Sequence, residues 1–287
     1  MHARIVTSAL AAVIVAAHAA AAELPPPGGV PDLAGPRALA LSAGVGMAAG
    51  NDGILVNPAT IGARRRYSVE AGGFVDRRGA ERVAQLFGGS VVDSLSSPVA
   101  AGVSYLRAID GDYTGNLVHL ALAGPIAEKL YLGVAAKWLS LRANEKVSAA
   151  TGDAGLFWQV GEWVSLGAVG YNLVPIANEA VAPMGVGAGL TLGNDRVFQI
   201  TADWRADLDR AETTKNRYGV GAEVLLGGLV PLRAGWARDE TIDTSWWSLG
   251  AGIVTRGGVA LDVGYRQSLD ATSARTIAAS LKMYMFD

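Results

Sequence analysis

The chain has 287 residues, of which 51% are hydrophobic and only 17% charged, with a net charge of −2 and no cysteine. That balance excludes a disulfide framework and supplies no basic face of the kind a nucleic-acid partner requires. Mean hydropathy is +0.28, high for a soluble secreted domain, yet beyond residue 22 no run of about 18 apolar residues exists to make a spanning helix. Glycine, at 37 residues, is nearly twice its usual ~7%. An apolar, glycine-rich chain without spanning helices and with dispersed charge fits a transmembrane β-barrel.

Residues 1–22 read as a secretory signal. Arg4 supplies the charged start, Ile5 to Ala17 the apolar core, and His18 to Ala22 a small-residue cleavage zone, with cleavage expected near Ala22-Glu23. The mature protein is therefore expected outside the cytoplasm. Residues 23–64 open with Pro25-Pro26-Pro27-Gly28-Gly29, a stiff leader. Arg37 to Gly50 (RALALSAGVGMAAG) has no clear period and side chains too small to pack alone. Enclosure by the rest of the protein would order it; a disordered linker is the alternative. Asn57-Pro58-Ala59 then has a local reading. Asn is a good helix N-cap, Pro58 suits the first helical position, and Gly62 can end the turn.

From residue 65 to 287 the sequence reads as a ladder of fourteen strands. They are expected near 66–76, 82–92, 98–107, 113–123, 129–141, 149–160, 163–173, 183–193, 196–206, 215–226, 229–238, 245–255, 258–267 and 273–286. Each has the length a tilted barrel strand needs. The weakest is 82–92, whose first half could be a short helix; without it the count falls to twelve. Alternation is clearest where Phe198, Ile200, Ala202 and Trp204 interleave with Gln199, Thr201, Asp203 and Arg205. Short turns such as Gly161-Glu162 and Gly227-Gly228 alternate with longer links such as Asp207–Thr214 and Asp239–Thr244. Parity puts Trp138, Trp204, Tyr218, Trp236, Trp247 and Tyr265 outward, all beside the longer links, while Trp158 and Trp163 flank a short turn. Aromatics sorted by height are the girdles of an outer-membrane barrel. In the last strand Tyr284 and Phe286 share parity with Lys282, assigned inward, so alternation leaves that register open.

A run of small residues, then an acid, then Asn57-Pro58-Ala59, then antiparallel strands to the end resembles the FadL family of outer-membrane barrels and its relatives, PorV-type proteins included. The resemblance implies a closed up-and-down barrel of about fourteen strands from residue 65 to 287, with residues 23–64 holding a plug in which the Asn57-Pro58-Ala59 motif lies. It also implies a monomer in the bacterial outer membrane, in contact with lipid.

Little catalytic chemistry is available. His2 and His18 leave with the signal, so His119 is the remaining histidine, and no acid or nucleophile stands at a readable spacing from it. A satisfied interior histidine is the better reading. Metal-ligand spacing is absent, and Asp110-Gly111-Asp112 lacks the ligand series of a calcium loop. No enzyme, cofactor or metal is expected. The candidates for function are the inward charges: Glu70, Lys137, Asp153, Asp203, Arg205, Arg217, Glu223, Arg233, Asp262 and Arg266, five acids against five bases. A wide ion-selective pore would bias one sign; balance suits charges that satisfy one another. Inward glycines, among them Gly189, Gly219, Gly221 and Gly250, leave room for enclosed chain or for ligand. The first functional reading is passage of a hydrophobic small molecule such as a long-chain fatty acid, with Arg217 or Arg233 for its carboxylate. The second is a PorV-like, non-transporting barrel with a secreted or outer-membrane protein partner. A general porin fits the balanced lumen least.

Overall fold

The computed structural model describes residues 35–78, 82–110, 113–142, 146–176, 182–209, 214–270 and 274–286. The signal, the Pro-rich leader and most of the Asp110–Asp112 turn lie outside these residues. The wall consists of fourteen strands: β1 (Arg66–Arg78), β2 (Arg82–Asp93), β3 (Ala100–Asp110), β4 (Tyr113–Ala127), β5 (Leu130–Arg142), β6 (Lys146–Gln159), β7 (Val164–Tyr171), β8 (Gly185–Asn194), β9 (Phe198–Asp207), β10 (Lys215–Leu226), β11 (Val230–Asp239), β12 (Thr244–Val254), β13 (Val259–Ser268) and β14 (Arg275–Phe286). Each pairs antiparallel with its neighbours in sequence, and β1 pairs with β14 to close the barrel. The doubtful segment at 82–92 is a full strand, paired with both β1 and β3.

The cause of closure is visible in the alternation. Along β9, Gln199, Thr201, Asp203 and Arg205 are buried while Phe198, Ile200 and Trp204 are exposed. Such a strand has one face that must meet other polar groups and one that must meet hydrocarbon. An open edge would leave backbone groups unsatisfied in lipid, and closure removes it. The exterior is accordingly apolar, with Val220, Leu261, Ile253 and Leu281 exposed along the strands. Trp204 stands opposite Tyr218, and Trp236 opposite Trp247. Trp247 packs on Tyr265 with ring centroids 5.3 Å apart. At the other end Trp163 packs on Phe198, 6.0 Å apart. The tight β10–β11 turn uses Gly227 and Gly228, at φ 59° and 70°, the left-handed conformation that a short hairpin connection demands.

Register in the last strand is set by charge. Glu70 stands opposite Lys282 across the β1–β14 seam, with Lys282 Nζ 3.2 Å from Glu70 Oε1. Lys282 therefore faces inward with Tyr284, and Met283 and Met285 face lipid. An outward site near mid-membrane gives a direct test of the wall. Val220→Arg should lower unfolding stability by ~2–4 kcal/mol, read by urea titration of tryptophan fluorescence in bilayers. A change under ~0.5 kcal/mol would mean Val220 does not face lipid.

Candidate functional site: the barrel interior

Residues 35–63 run across the space enclosed by the wall. They form helix α1 (Pro36–Leu41), a 3-10 turn (Gly50–Asp52), helix α2 (Gly53–Val56) and a second 3-10 turn (Pro58–Gly62). Leu39, Leu41, Val45, Met47, Ile54, Val56 and Ile61 are fully buried. Elements this short have little stability of their own, so the segment takes its shape from the wall. Wall glycines make room for it. A Cβ at Gly219 would overlap the Ser42 carbonyl, at Gly221 the Leu41 carbonyl, and at Gly189 the Gly46 backbone. Gly250 faces Ala40 and Gly264 faces Pro36. At these positions the room is taken by enclosed chain.

Polar ties fix the segment in rotation and depth. Asn51 Nδ2 donates to Ser90 Oγ (2.9 Å) on β2, and Ser68 on β1 donates to Asn51 Oδ1. Tyr171 on β7 donates to the Val56 carbonyl at 2.7 Å, and Ser165 to that of Gly46 at 2.7 Å. Asp203 Oδ2 accepts from the amides of Gly44 and Val45 at 2.6 and 2.8 Å. Ser248 on β12 donates to the Ala40 carbonyl at 2.8 Å. Ser42 Oγ lies 3.0 Å from Ser248 Oγ and, that proton being used, is the donor of the pair.

The Asn57-Pro58-Ala59 motif is the junction of these elements. Asn57 Oδ1 accepts from the Ala59 amide at 3.2 Å, capping the 3-10 turn. Its amide nitrogen donates to the Val45 carbonyl within the segment and to the Leu156 carbonyl on β6, each at 3.0 Å. One side chain thus joins two stretches of the segment to the wall. The motif lies over Gly133, Gly155 and Gly167 on β5, β6 and β7, where any Cβ would strike Ala59, Asn57 or Val45. Ala59 itself is fully buried, so the turn has no room for a larger residue there.

The inward charges fall into connected groups. Arg37 grips Glu223 with two bonds, Nε to Oε2 at 3.0 Å and Nη2 to Oε1 at 2.8 Å. Arg233 bonds Glu223 on one side and Asp262 on the other, the latter at 2.6 Å. Lys282 continues the chain to Asp262 (3.6 Å) and Glu70 (3.2 Å). The string therefore starts in α1 and crosses β10, β11, β13, β14 and β1. Burial acts to lower the Arg37 pKa, but the Glu223 carboxylate outweighs it and holds the guanidinium above its ordinary value. A second group joins Lys137 to Asp153 and Asn172, both at 2.7 Å, with the Asn172 amide donating to Asp153 at 2.8 Å. Arg205 reaches Asp203 at 3.3 Å, and Arg217 reaches Asp239 at 3.9 Å. Arg266 stacks on Trp246, 4.6 Å from the ring centroid. All nine lumen candidates are buried, Lys137, Asp153, Asp203, Arg205, Arg217, Glu223, Arg233, Asp262 and Arg266 alike, but they do not converge on one point.

His119 is buried opposite Ser104 and Lys137, beside a cation rather than an acid. Among the described residues no group of His, Cys, Asp or Glu is arranged to hold a metal ion. Sequence reading missed the role of Arg37, whose partner lies 186 residues away. The acid that precedes the Asn57-Pro58-Ala59 motif, Asp52, is buried against Gly35, and among the described residues neither of its carboxylate oxygens has a hydrogen-bond partner. A cavity of about 670 Å³ opens at the short-turn end, where the segment hands over to β1. Arg64, Arg65, Lys129, Glu162, Asp195 and Arg196 bring charge to its walls. Arg64 pairs with Asp195 across it. Burial pushes the Asp195 carboxyl up, but Arg64 and Arg37 outweigh it and hold it below the usual carboxylate range.

No family model and no curated protein matches the chain. Solved structures do. The CymD monoaromatic hydrocarbon channel aligns over 88% of this chain and 97% of its own, with a TM-score of 0.66 at 16% identity. The Ralstonia pickettii toluene transporter TbuX aligns over 88% and 98%, with a TM-score of 0.65 at 14% identity. The Pseudomonas putida toluene transporter TodX aligns over 86% and 95%, with a TM-score of 0.60 at 12% identity. The fold is FadL-like. At these identities the likeness is one of fold, and it extends along nearly the whole of each chain. A FadL-like wall with a lipid-facing apolar exterior belongs in the outer membrane.

Proposed function

We propose that this FadL-like barrel passes hydrophobic small molecules across the outer membrane, and that residues 35–63 are the plug that shifts to let them through. The observation that carries the reading is the nearly end-to-end fold likeness to two toluene transporters and a monoaromatic hydrocarbon channel. The construction of the segment supports it. Apart from the Arg37–Glu223 pair at its start and the two amides held by Asp203, its polar ties to the wall are single hydrogen bonds such as those from Ser165 and Tyr171, each of which contributes only about 1 kcal/mol net. Segments that move are drawn from the weakly held parts of a fold.

Within the class, neutral aromatic hydrocarbons fit better than long-chain fatty acids. A carboxylate head would need an inward base, and Arg233 already bonds two carboxylates while Arg217 lies near Asp239. The test is uptake of labelled toluene and labelled palmitate into cells with the full-length protein, against cells lacking it. Faster toluene uptake with little change in palmitate is the expected result. No gain with either, in cells whose outer membrane holds the folded barrel, would remove the transport reading. The PorV-like reading would then stand. It is favoured by one feature, an interior most of whose charges are already paired, and co-purification of a defined outer-membrane partner would test it.

A further inference from the structure

Where the enclosed segment meets the seam between β14 and β1, the buried charges do not cancel. The string of ion pairs that starts at Arg37 holds three bases, Arg37, Arg233 and Lys282, against three acids, Glu223, Asp262 and Glu70. Asp52 adds a fourth acid, within electrostatic reach of both Glu70 and Lys282. Four acids against three bases leave one negative charge in excess. Asp52 is 1% exposed and Glu70 8%, so bulk water screens neither well. A buried charge of this kind needs a counter-charge.

Oxygens without partners gather at the same place. Among the described residues, neither carboxylate oxygen of Asp52 has a hydrogen-bond partner, nor has Glu70 Oε2, nor Ser280 Oγ. Glu70 and Ser280 line a cavity of about 30 Å³ between segment and wall, together with Gly35, Asn51, Ser90 and Ser104. Asp52 Oδ1 presses against Gly35 at its edge, where a Cβ would overlap it. A void needs only ~10–15 Å³ to admit one water-sized particle, so a small ion fits. The donors are carboxylate and hydroxyl oxygens, the set that hard cations prefer. Lys282 is already engaged with Glu70 Oε1 and Asp262. Among the described residues no cluster of three His, Cys, Asp or Glu is present for a divalent ion, whereas one excess charge is balanced by a monovalent ion. The small void favours sodium over the larger potassium.

We propose that Asp52, Glu70 and Ser280 hold a sodium ion that seals the enclosed segment to the β14–β1 seam. The site is independent of the transport reading. The experiment is urea unfolding of the full-length barrel in bilayers, read by tryptophan fluorescence, in sodium chloride and in choline chloride at equal ionic strength and pH. An ion held only by the folded protein with a Kd of ~10 mM lowers the unfolding constant about tenfold at ~100 mM, and that is the difference expected between the two salts. D52N, which removes the excess charge, should unfold alike in both, and S280A should show a smaller sodium response than the unaltered protein. Equal unfolding of the unaltered protein in the two salts would overturn the proposal without recourse to a variant. So would a folded D52N barrel that keeps the full sodium response, because the ion would then lie elsewhere. Stabilisation by acid in choline chloride, with no response to sodium, would assign the excess charge to a proton and overturn the proposal equally.

Discussion

Replacing Glu223 with alanine should cost the barrel about 3–5 kcal/mol of unfolding free energy. The carboxylate accepts from Arg37, Arg233 and Gln199, and all of these lie in the buried interior. Removing it leaves two guanidiniums without their shared counter-charge, and a buried charge stripped of its partner is far costlier than a pair replaced as a unit. E223L combined with R37M should therefore be milder than E223A alone, with Arg233 still held by Asp262. Urea titration in bilayers reads both. A loss below about 1 kcal/mol for E223A would mean that the string of ion pairs carries little of the interior's cohesion.

A single methyl group placed at Gly167 should have an effect of similar rank on the enclosed segment. A Cβ there would overlap the carbonyl oxygen of Val45, which already accepts from Asn57. Overpacking of this kind typically costs ~1–3 kcal/mol, and here the rigid neighbour is backbone that can move only by leaving its seat. G167A should thus loosen the segment while the wall remains closed. Trypsin provides the measurement, because Arg37 is almost wholly buried in the intact protein. Cleavage after Arg37 should appear in G167A and not in G161A, where an added Cβ meets nothing within 4 Å. Equal resistance of both variants would show that Val45 and Asn57 are not seated against β7.

The wall was legible because lipid on one side and packed polar chain on the other enforce a period of two. Every expected strand coincides with an observed one, with ends differing by no more than about four residues. Parity likewise placed Asp203, Arg205, Glu223 and Arg233 on the buried face. Alternation could not resolve β14, since Lys282, Tyr284 and Phe286 share one parity. That register depends on Glu70 at the far end of the ladder, a contact that exists only once the barrel closes. Asn57 divides the same way. Its cap on Ala59 is local and readable, whereas its bond to Leu156 spans 99 positions. The glycines had two readings in sequence, room for chain or room for ligand. At Gly219, Gly221 and Gly250 the neighbour proves to be Ser42, Leu41 and Ala40, which no periodicity could have named.

The central claim is that passage of a hydrophobic molecule requires residues 35–63 to move, and the lack of any cysteine makes a lock possible. Ser42 in the segment and Ser248 on β12 already face one another, their hydroxyl oxygens 3.0 Å apart. Ser42→Cys with Ser248→Cys would let an oxidant tether the segment to the wall and a reductant release it. Toluene uptake should fall to the level of cells lacking the protein when the pair is oxidised and return on reduction, with either single variant insensitive to both reagents. Uptake that continues undiminished through the cross-linked barrel would contradict the account.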